Sequence, residues 1–186
     1  LAESSGLTWS PALARSAVSI WAGHLAACRL AQAEGVVLHP VSGAHHARRS
    51  RGSGFCTFNF LVGAGLQLLE AGAVRKVAII DLDAHQGDGT WHLVQNDERF
   101  GIFDVAGTDW VGERESGRVL MRVVSDAEGY RKAVGALPGF LDRFQPDLVQ
   151  YQAGMDCHQE DLAGGIPGVG ANLLASRDRF VIEAVT

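Results

Sequence analysis

Two stretches of the chain concentrate residues able to do chemistry. The first is Asp81-Leu82-Asp83-Ala84-His85-Gln86-Gly87-Asp88-Gly89-Thr90 and the second is Gln152-Ala153-Gly154-Met155-Asp156. Asp83, His85 and Asp156 together offer two carboxylates and one imidazole, a donor set suited to a catalytic Zn²⁺ or Fe²⁺ with positions left open for water. Asp81, Asp83 and His85 are spaced two apart, which in an extended segment would put all three on one side. The plainer reading of such a string is a solvated loop with a helix cap. Carboxylates at this density, emerging from an apolar run, would however be costly without a cation to offset their repulsion. A further constellation is Gly43-Ala44-His45-His46-Ala47, with Gly54-Phe55-Cys56 nearby. Adjacent histidines in a glycine-rich loop can be metal ligands, general bases or a surface pair. Asp81 and Asp88 remain as partners that could orient each imidazole and raise its basicity, which gives two Asp–His dyads. A metal, a water activated by it and a histidine base amount to metal-assisted hydrolysis of an amide or similar carbonyl.

The elements that would position these residues can be read from patterning. Ser10-Pro11 reads as a capped helix start, and apolar residues keep helical spacing to Glu34, with Gly35 as the stop. A second helix is expected over 58–70. Residues 77–82 form a continuous β-branched run, the mark of a strand buried on both faces of a parallel sheet. Residues 100–105, 119–124 and 148–151 are further strand candidates. Asp126 is expected to cap one helix reaching Phe144, ended by Pro146, and Ser176 to open another that runs to the end of the chain. Strands alternating with helices read as an α/β layered domain with a mostly parallel sheet, in which ligands collect at the carboxyl ends of strands. No internal repeat or linker breaks the pattern, so residues 1–186 read as a single domain.

Composition narrows the function classes. Lys+Arg 16 against Asp+Glu 21 gives a net charge of -5, the wrong sign for a dedicated nucleic-acid or anionic-membrane binder. Arg48, Arg49 and Arg51 are the one basic cluster and read as a solvated loop face. No run approaches the roughly 18 apolar residues that span a bilayer, and the first residues lack the order of a signal peptide. Cys28, Cys56 and Cys157 are odd in number and far apart, which suits a reducing, cytoplasmic compartment rather than a disulfide framework.

Four strings in order carry a resemblance: Ser42-Gly43-Ala44-His45-His46-Ala47, Gly54-Phe55-Cys56-Thr57-Phe58-Asn59, Ile79-Ile80-Asp81-Leu82-Asp83-Ala84-His85-Gln86-Gly87-Asp88-Gly89 and Tyr151-Gln152-Ala153-Gly154-Met155-Asp156. Together they resemble the zinc-dependent histone deacetylase family. The Asp-Leu-Asp-Ala-His-Gln-Gly wording and Phe103-Asp104-Val105 most resemble its class IV branch and bacterial relatives. The resemblance implies a three-layer α/β/α fold of the arginase/deacetylase type. It implies that Asp83, His85 and Asp156 bind Zn²⁺, with Fe²⁺ as the other candidate. It implies that His46, oriented by Asp88, is the general base, while His45, held by Asp81, is the electrostatic or acid partner. Gly54 and Phe55 would line a narrow channel for the acyl-lysine stem, with Gln152 behind the metal. A structural K⁺ or Na⁺ would use Asp81, Asp83, His85, Asp104 and Val105. The implied substrate is an acylated lysine peptide or a small acylated amine, with no direct nucleic-acid or membrane partner.

The chain departs from the family pattern in two places. Members carry a tyrosine after a glycine-rich turn beyond the second Asp motif, and its hydroxyl stabilises the oxyanion. Here the only tyrosines are Tyr130 and Tyr151, and neither has that context. Members also have a longer segment ahead of the paired histidines. On this pattern residues 1–186 are expected to be the central part of a catalytic domain, truncated at both ends. Loss of one oxyanion donor typically costs on the order of 10² to 10³ in turnover, so the alternative is an impaired fragment or pseudoenzyme that keeps fold and metal. A binuclear manganese ureohydrolase is a second alternative, and it would want another pair of bridging aspartates.

Overall fold

A computed structural model describes residues 2–41 and 44–186 of the chain; Ser42 and Gly43, which open the first of the four strings, lie outside the described residues. The chain forms two compact units. One runs up to Arg75 and takes in Gly87–Arg99, and the other joins Lys76–Gln86 to Phe100–Thr186.

In the first unit, helix α1 covers Pro11–Glu34 as the Ser10-Pro11 signal predicts, and the Ser10 side chain accepts a hydrogen bond from the Leu13 amide at 3.0 Å. Helix α2, Phe60–Glu70, is capped the same way, with Asn59 Oδ1 accepting from the Val62 amide at 3.1 Å. Both caps satisfy amides that the first helical turn leaves without an intrahelical acceptor. A short helix α3, Asp88–Val94, has no counterpart among the expected elements. Its seven residues carry too few apolar positions to show a helical period.

The second unit is a five-stranded sheet with three helices. Strands β1 (Val77–Asp81), β2 (Phe100–Ala106), β4 (Val119–Val123) and β5 (Leu148–Gln152) are parallel, and a two-residue strand β3 (Arg114–Glu115) runs antiparallel at the edge beside β4. The order is β3-β4-β2-β1-β5. Every residue of β1 and β2 is buried, as expected of central parallel strands. Ala78, Ile80, Phe103, Val105 and Leu120 from the sheet share a core with Leu137, Phe140, Phe144, Leu174 and Val181 from the helices.

Two expected elements need correction. The single helix expected over 126–144 is two, α4 (Ala127–Val134) and α5 (Leu137–Phe144). In a continuous helix Pro138 would leave the Val134 carbonyl without a donor and drive its ring against it. Starting α5 at Leu137 puts the proline in a first turn, where no donor is required. The last helix does not start at Ser176. Helix α6 covers Ala171–Val185 from a Gly170 cap with no side-chain hydrogen bond, so no capping side chain marks its start. Ser176 lies inside it, its hydroxyl donating to the Asn172 carbonyl at 2.8 Å.

Phe140 is fully buried, with its ring centroid 5.5 Å from that of Phe103. Phe140→Ala is expected to cost about 3–5 kcal/mol through lost burial and the cavity left behind, measured by urea denaturation followed by circular dichroism.

Candidate functional site

The metal-ligating candidates lie where the β1 and β5 ladder runs out. The register ends at Asp81 opposite Gln152, with one more bond from the Leu82 amide to the Gln152 carbonyl at 3.1 Å. Strand β1 stops at Asp81, so the alternation expected to carry Asp83 and His85 does not operate. The chain turns instead, and side chains of the string hold the turn. The Asp83 amide donates to Asp81 Oδ1 at 3.3 Å and the His85 amide to Asp83 Oδ1 at 2.9 Å. Asp156 arrives from the turn after β5, its Oδ1 accepting from the Ala84 amide at 2.9 Å. Nδ1 of His85 lies 3.1 Å from Asp83 Oδ1 and 2.9 Å from Asp156 Oδ2. Nε2 of His85 lies 3.0 Å from the Ala163 carbonyl. That carbonyl can hold a proton on Nε2, which turns Nδ1 toward the two carboxylates, the way in which an outer partner fixes the tautomer of a histidine.

Asp83, His85 and Asp156 each bring one donor atom into a group spanning 4.8 Å. Burial pushes the Asp156 carboxyl above the ordinary carboxylate range, and the nearby Asp83 charge pushes it the same way. Burial opposes charging of His85, but the hydrogen bond to Asp83, the Ala163 carbonyl and the two carboxylate charges outweigh it and raise its affinity for a proton. Crowded carboxylates that favour a cation between them, with two oxygens and one nitrogen as donors, fit a Zn²⁺ or Fe²⁺ ion. Backbone packing makes room for this arrangement at Gly154, where a Cβ would lie 2.4 Å from the Asp83 Cα.

The histidine pair belongs to the other unit. His45 and His46 are buried in a turn, their ring centroids 3.9 Å apart. Nδ1 of His46 lies 2.8 Å from Asp88 Oδ1, so the expected His46–Asp88 dyad is present. Helix α3 presents Asp88 in its first turn, and the Thr90 amide donates to the His45 carbonyl at 2.8 Å. Asn59 bridges the same region, donating to Thr90 Oγ1 at 3.0 Å and to the Ala47 carbonyl at 3.4 Å. A Cβ on Gly89 would sit 2.4 Å from the His46 backbone carbon, so the helix can approach this loop only with glycine there.

Sequence reasoning missed Arg48. Arg49 and Arg51 are exposed as expected, but the half-buried Arg48 grips Asp88 Oδ2 through Nη2 at 2.5 Å and Nε at 3.2 Å. Burial raises the Asp88 carboxyl, but the hydrogen bonds from His46 and Arg48 outweigh that and hold it below its ordinary value. The signal available was position: Arg48 stands two residues after His46, on the loop that Asp88 meets.

Gly54 adopts φ +50°, and a Cβ there would lie 2.3 Å from His46 Cδ2. Phe55 follows with φ 61° and is largely exposed. Gln152 ends β5. Asp81 and Asp104 are register partners on β1 and β2, both buried, with Val105 next along β2. The loop after β2 is pinned by the fully buried Gln86, whose Oε1 accepts from the amides of Trp110 (2.7 Å) and Val111 (2.9 Å). That clamp sets the Trp110 ring 5.4 Å from the His85 ring, a contact the sequence did not announce.

Comparison with known proteins places the chain. Residues 3–184 match the model of the histone deacetylase domain, and the chain belongs to that family. It is 30% identical over 182 residues to an uncharacterized protein of Picosynechococcus sp., covering 96% of this chain and 60% of that one. It is 33% identical over 174 residues to Histone deacetylase 2 of Arabidopsis thaliana, covering 87% of this chain and 43% of that one. The chain thus spans about half the length of the curated relatives it matches. A crystal structure of acetylpolyamine aminohydrolase from Burkholderia pseudomallei superimposes with a TM-score of 0.76 at 20% identity, covering 90% of this chain and 53% of that one. The mostly parallel central sheet is therefore that of the arginase/deacetylase fold.

The packing around the histidine pair makes two variants informative. Asp88→Asn is expected to cost about 1.5–3 kcal/mol at pH 7, the range for hydrogen bonds to a charged group. Because the folded Asp88 is held below its unfolded value, this contribution is present above about pH 4 and fades as pH falls through the lower folded value. Urea unfolding of both proteins at several pH values should show the gap closing in acid. Gly89→Ala is expected to displace the His45–His46 turn, seen as shifts in the His46 ring resonances that a Gly72→Ala control does not produce.

Proposed function

We propose that the chain is the metal-bearing part of a zinc-dependent amidohydrolase that removes acetyl or longer acyl groups from a lysine side chain or a small acylated amine. The observation that carries this reading is the Asp83, His85 and Asp156 donor group, in a chain that belongs to the deacetylase family. It is one such group among the described residues, which favours a single ion over the paired manganese of a ureohydrolase. A Zn²⁺ or Fe²⁺ bound there would polarise the amide carbonyl and acidify a water.

The chain's own residues divide the remaining work. Asp88 binds His46 at Nδ1, which fixes the ring and leaves Nε2 to accept a proton, the geometry of a general base. His45 takes the electrostatic or acid role. Gly54 keeps the space beside the His46 ring clear of a side chain, and the exposed Phe55 ring serves as an aromatic wall for the aliphatic stem. Gln152 supports the metal-bearing end of β5. Asp81, with carbonyls at Asp83 and His85 and the Asp104-Val105 strand segment, would hold a K⁺ or Na⁺ whose charge would offset two buried carboxylates. Three free, buried thiols suit a cytoplasmic setting, and no described helix is long and apolar enough to cross a membrane.

The runner-up is a domain that keeps fold and metal without turnover. Neither tyrosine is placed as an oxyanion donor. Tyr130 is fully buried, its hydroxyl accepting from Arg177 at 3.1 Å and facing Cys157 Sγ at 3.8 Å, and the Tyr151 hydroxyl donates to Asp178 at 2.5 Å.

The natural full-length protein is expected to hydrolyse an acetyl-lysine peptide or an N-acetylated polyamine. Chelation should abolish this, added Zn²⁺ restore it, and His46→Ala lower kcat by about 10²- to 10⁴-fold. Turnover indifferent to chelation and to Asp156→Ala would overturn the proposal, while stoichiometric metal binding with no turnover on either substrate would establish the runner-up.

A further inference from the structure

Arg177 is a buried charge that the proposed chemistry does not use. It lies within α6 and is 2% exposed. Its Nε donates to Asp178 Oδ1 at 2.8 Å, and Nη2 lies 2.7 Å from the same oxygen. Nη1 turns the other way and donates to the Gly154 carbonyl at 2.7 Å, the Tyr130 hydroxyl at 3.1 Å and the Leu82 carbonyl at 3.2 Å. The Tyr151 ring lies beside the guanidinium, 6.0 Å from centroid to Cζ.

The two carbonyls give these contacts their meaning. The β1–β5 ladder ends with the Leu82 amide on the Gln152 carbonyl, and beyond it the strands have no further register pairs. Leu82 immediately precedes Asp83, and Gly154 stands two residues before Asp156. One guanidinium nitrogen therefore ties the two chain ends together at the point where the sheet stops doing so. Burying a guanidinium is expensive, and apolar replacements of buried ion pairs are often neutral or stabilising. Stability alone is thus a poor reason for an arginine here. A planar, rigid fork explains the choice, because Asp178 clamps one edge and thereby aims the opposite nitrogen at both carbonyls.

We propose that Arg177 is a positioning residue for the metal centre, fixing the spacing of the Leu82 and Gly154 carbonyls and through them the separation of the Asp83 and Asp156 carboxylates. This rests on the reading of Asp83, His85 and Asp156 as metal ligands. Lysine at 177 keeps the charge but loses the clamped fork, and methionine loses both.

The test measures Co²⁺ and Zn²⁺ affinity by chelator competition, the visible spectrum of the Co²⁺ form and the thermal midpoint, in the full chain and in Arg177→Met, Arg177→Lys and Val181→Ala. Arg177→Met is expected to weaken metal binding about 10- to 100-fold, the effect typical of lost outer-shell support, and to alter the Co²⁺ bands. Arg177→Lys should fall between it and the parent. Val181→Ala opens a cavity in the same helix and should lower the thermal midpoint while leaving metal affinity and spectrum unchanged. Parent-like affinity and spectrum in Arg177→Met, or in Arg177→Lys should the methionine variant not fold, would overturn the inference. An equal loss in Val181→Ala, or failure of both Arg177 variants to fold, would assign Arg177 to the fold and overturn it too. A parent chain that binds neither metal would overturn the metal centre itself and this inference with it.

Discussion

Two carboxylates and an imidazole are held within 4.8 Å at the point where two parallel strands part company, and the surrounding architecture answers to that crowding. Like charges this close repel, so each group must be fixed from outside the cluster. Ala84 supplies an amide to Asp156, the turn amide of His85 goes to Asp83, and the Ala163 carbonyl takes Nε2 of His85. All three contacts come from backbone, which cannot rotate away. The sheet contributes placement: the ladder carries the two chain ends side by side to Asp81 and Gln152, and the divergence just beyond it opens the space in which the donors meet.

Glycine is the second condition of this geometry. At Gly154 and Gly89 the nearest atoms to a virtual Cβ are backbone or first side-chain atoms at 2.4 Å, which cannot swing aside as the end of a flexible side chain would. One glycine lets the β5 turn lie against Asp83, and the other lets α3 lie against the His45–His46 turn. Neither role needs an unusual φ. They are packing requirements, which is why glycines could be read in the sequence as marks of close approach without revealing what approaches.

The legible parts of the chain were those whose signals are local. Ser10 and Asp126 accept from the amides three residues on, and each helix starts where the cap says. Apolar runs located the four parallel strands because burial on both faces leaves no ambiguity of period. The misreadings share a cause. Pro138 divides α4 from α5 through a clash with a carbonyl four residues away, α6 begins without a capping side chain, and β1 ends at Asp81 because its own carboxylate captures the Asp83 amide. Each is a competition between backbone partners that a residue pattern does not rank. Arg48 and Arg177 were missed for a related reason: an arginine reads as surface until its acceptors are known, and those acceptors lie 40 residues away for Arg48 and up to 95 for Arg177.

The two acid–base groups also differ in where their compensating charge comes from. Asp88 has cationic or proton-bearing partners on both oxygens, His46 on one and Arg48 on the other, and it is held as a carboxylate by the chain itself. Asp156 is pushed the opposite way by burial and by Asp83, with His85 as the one side chain pulling back. A pair of carboxylates served by one imidazole is under-compensated wherever water is partly excluded, and the deficit is relieved either by a proton or by a cation. The backbone contacts tip that choice. A shared proton needs only two oxygens in contact, whereas here a third donor, His85 Nδ1, is aimed between them by a carbonyl bound to the far side of its ring. Holding that imidazole in register costs conformational freedom that a protonated acid pair would not require, and it supplies the nitrogen donor on which the proposed metal reading depends.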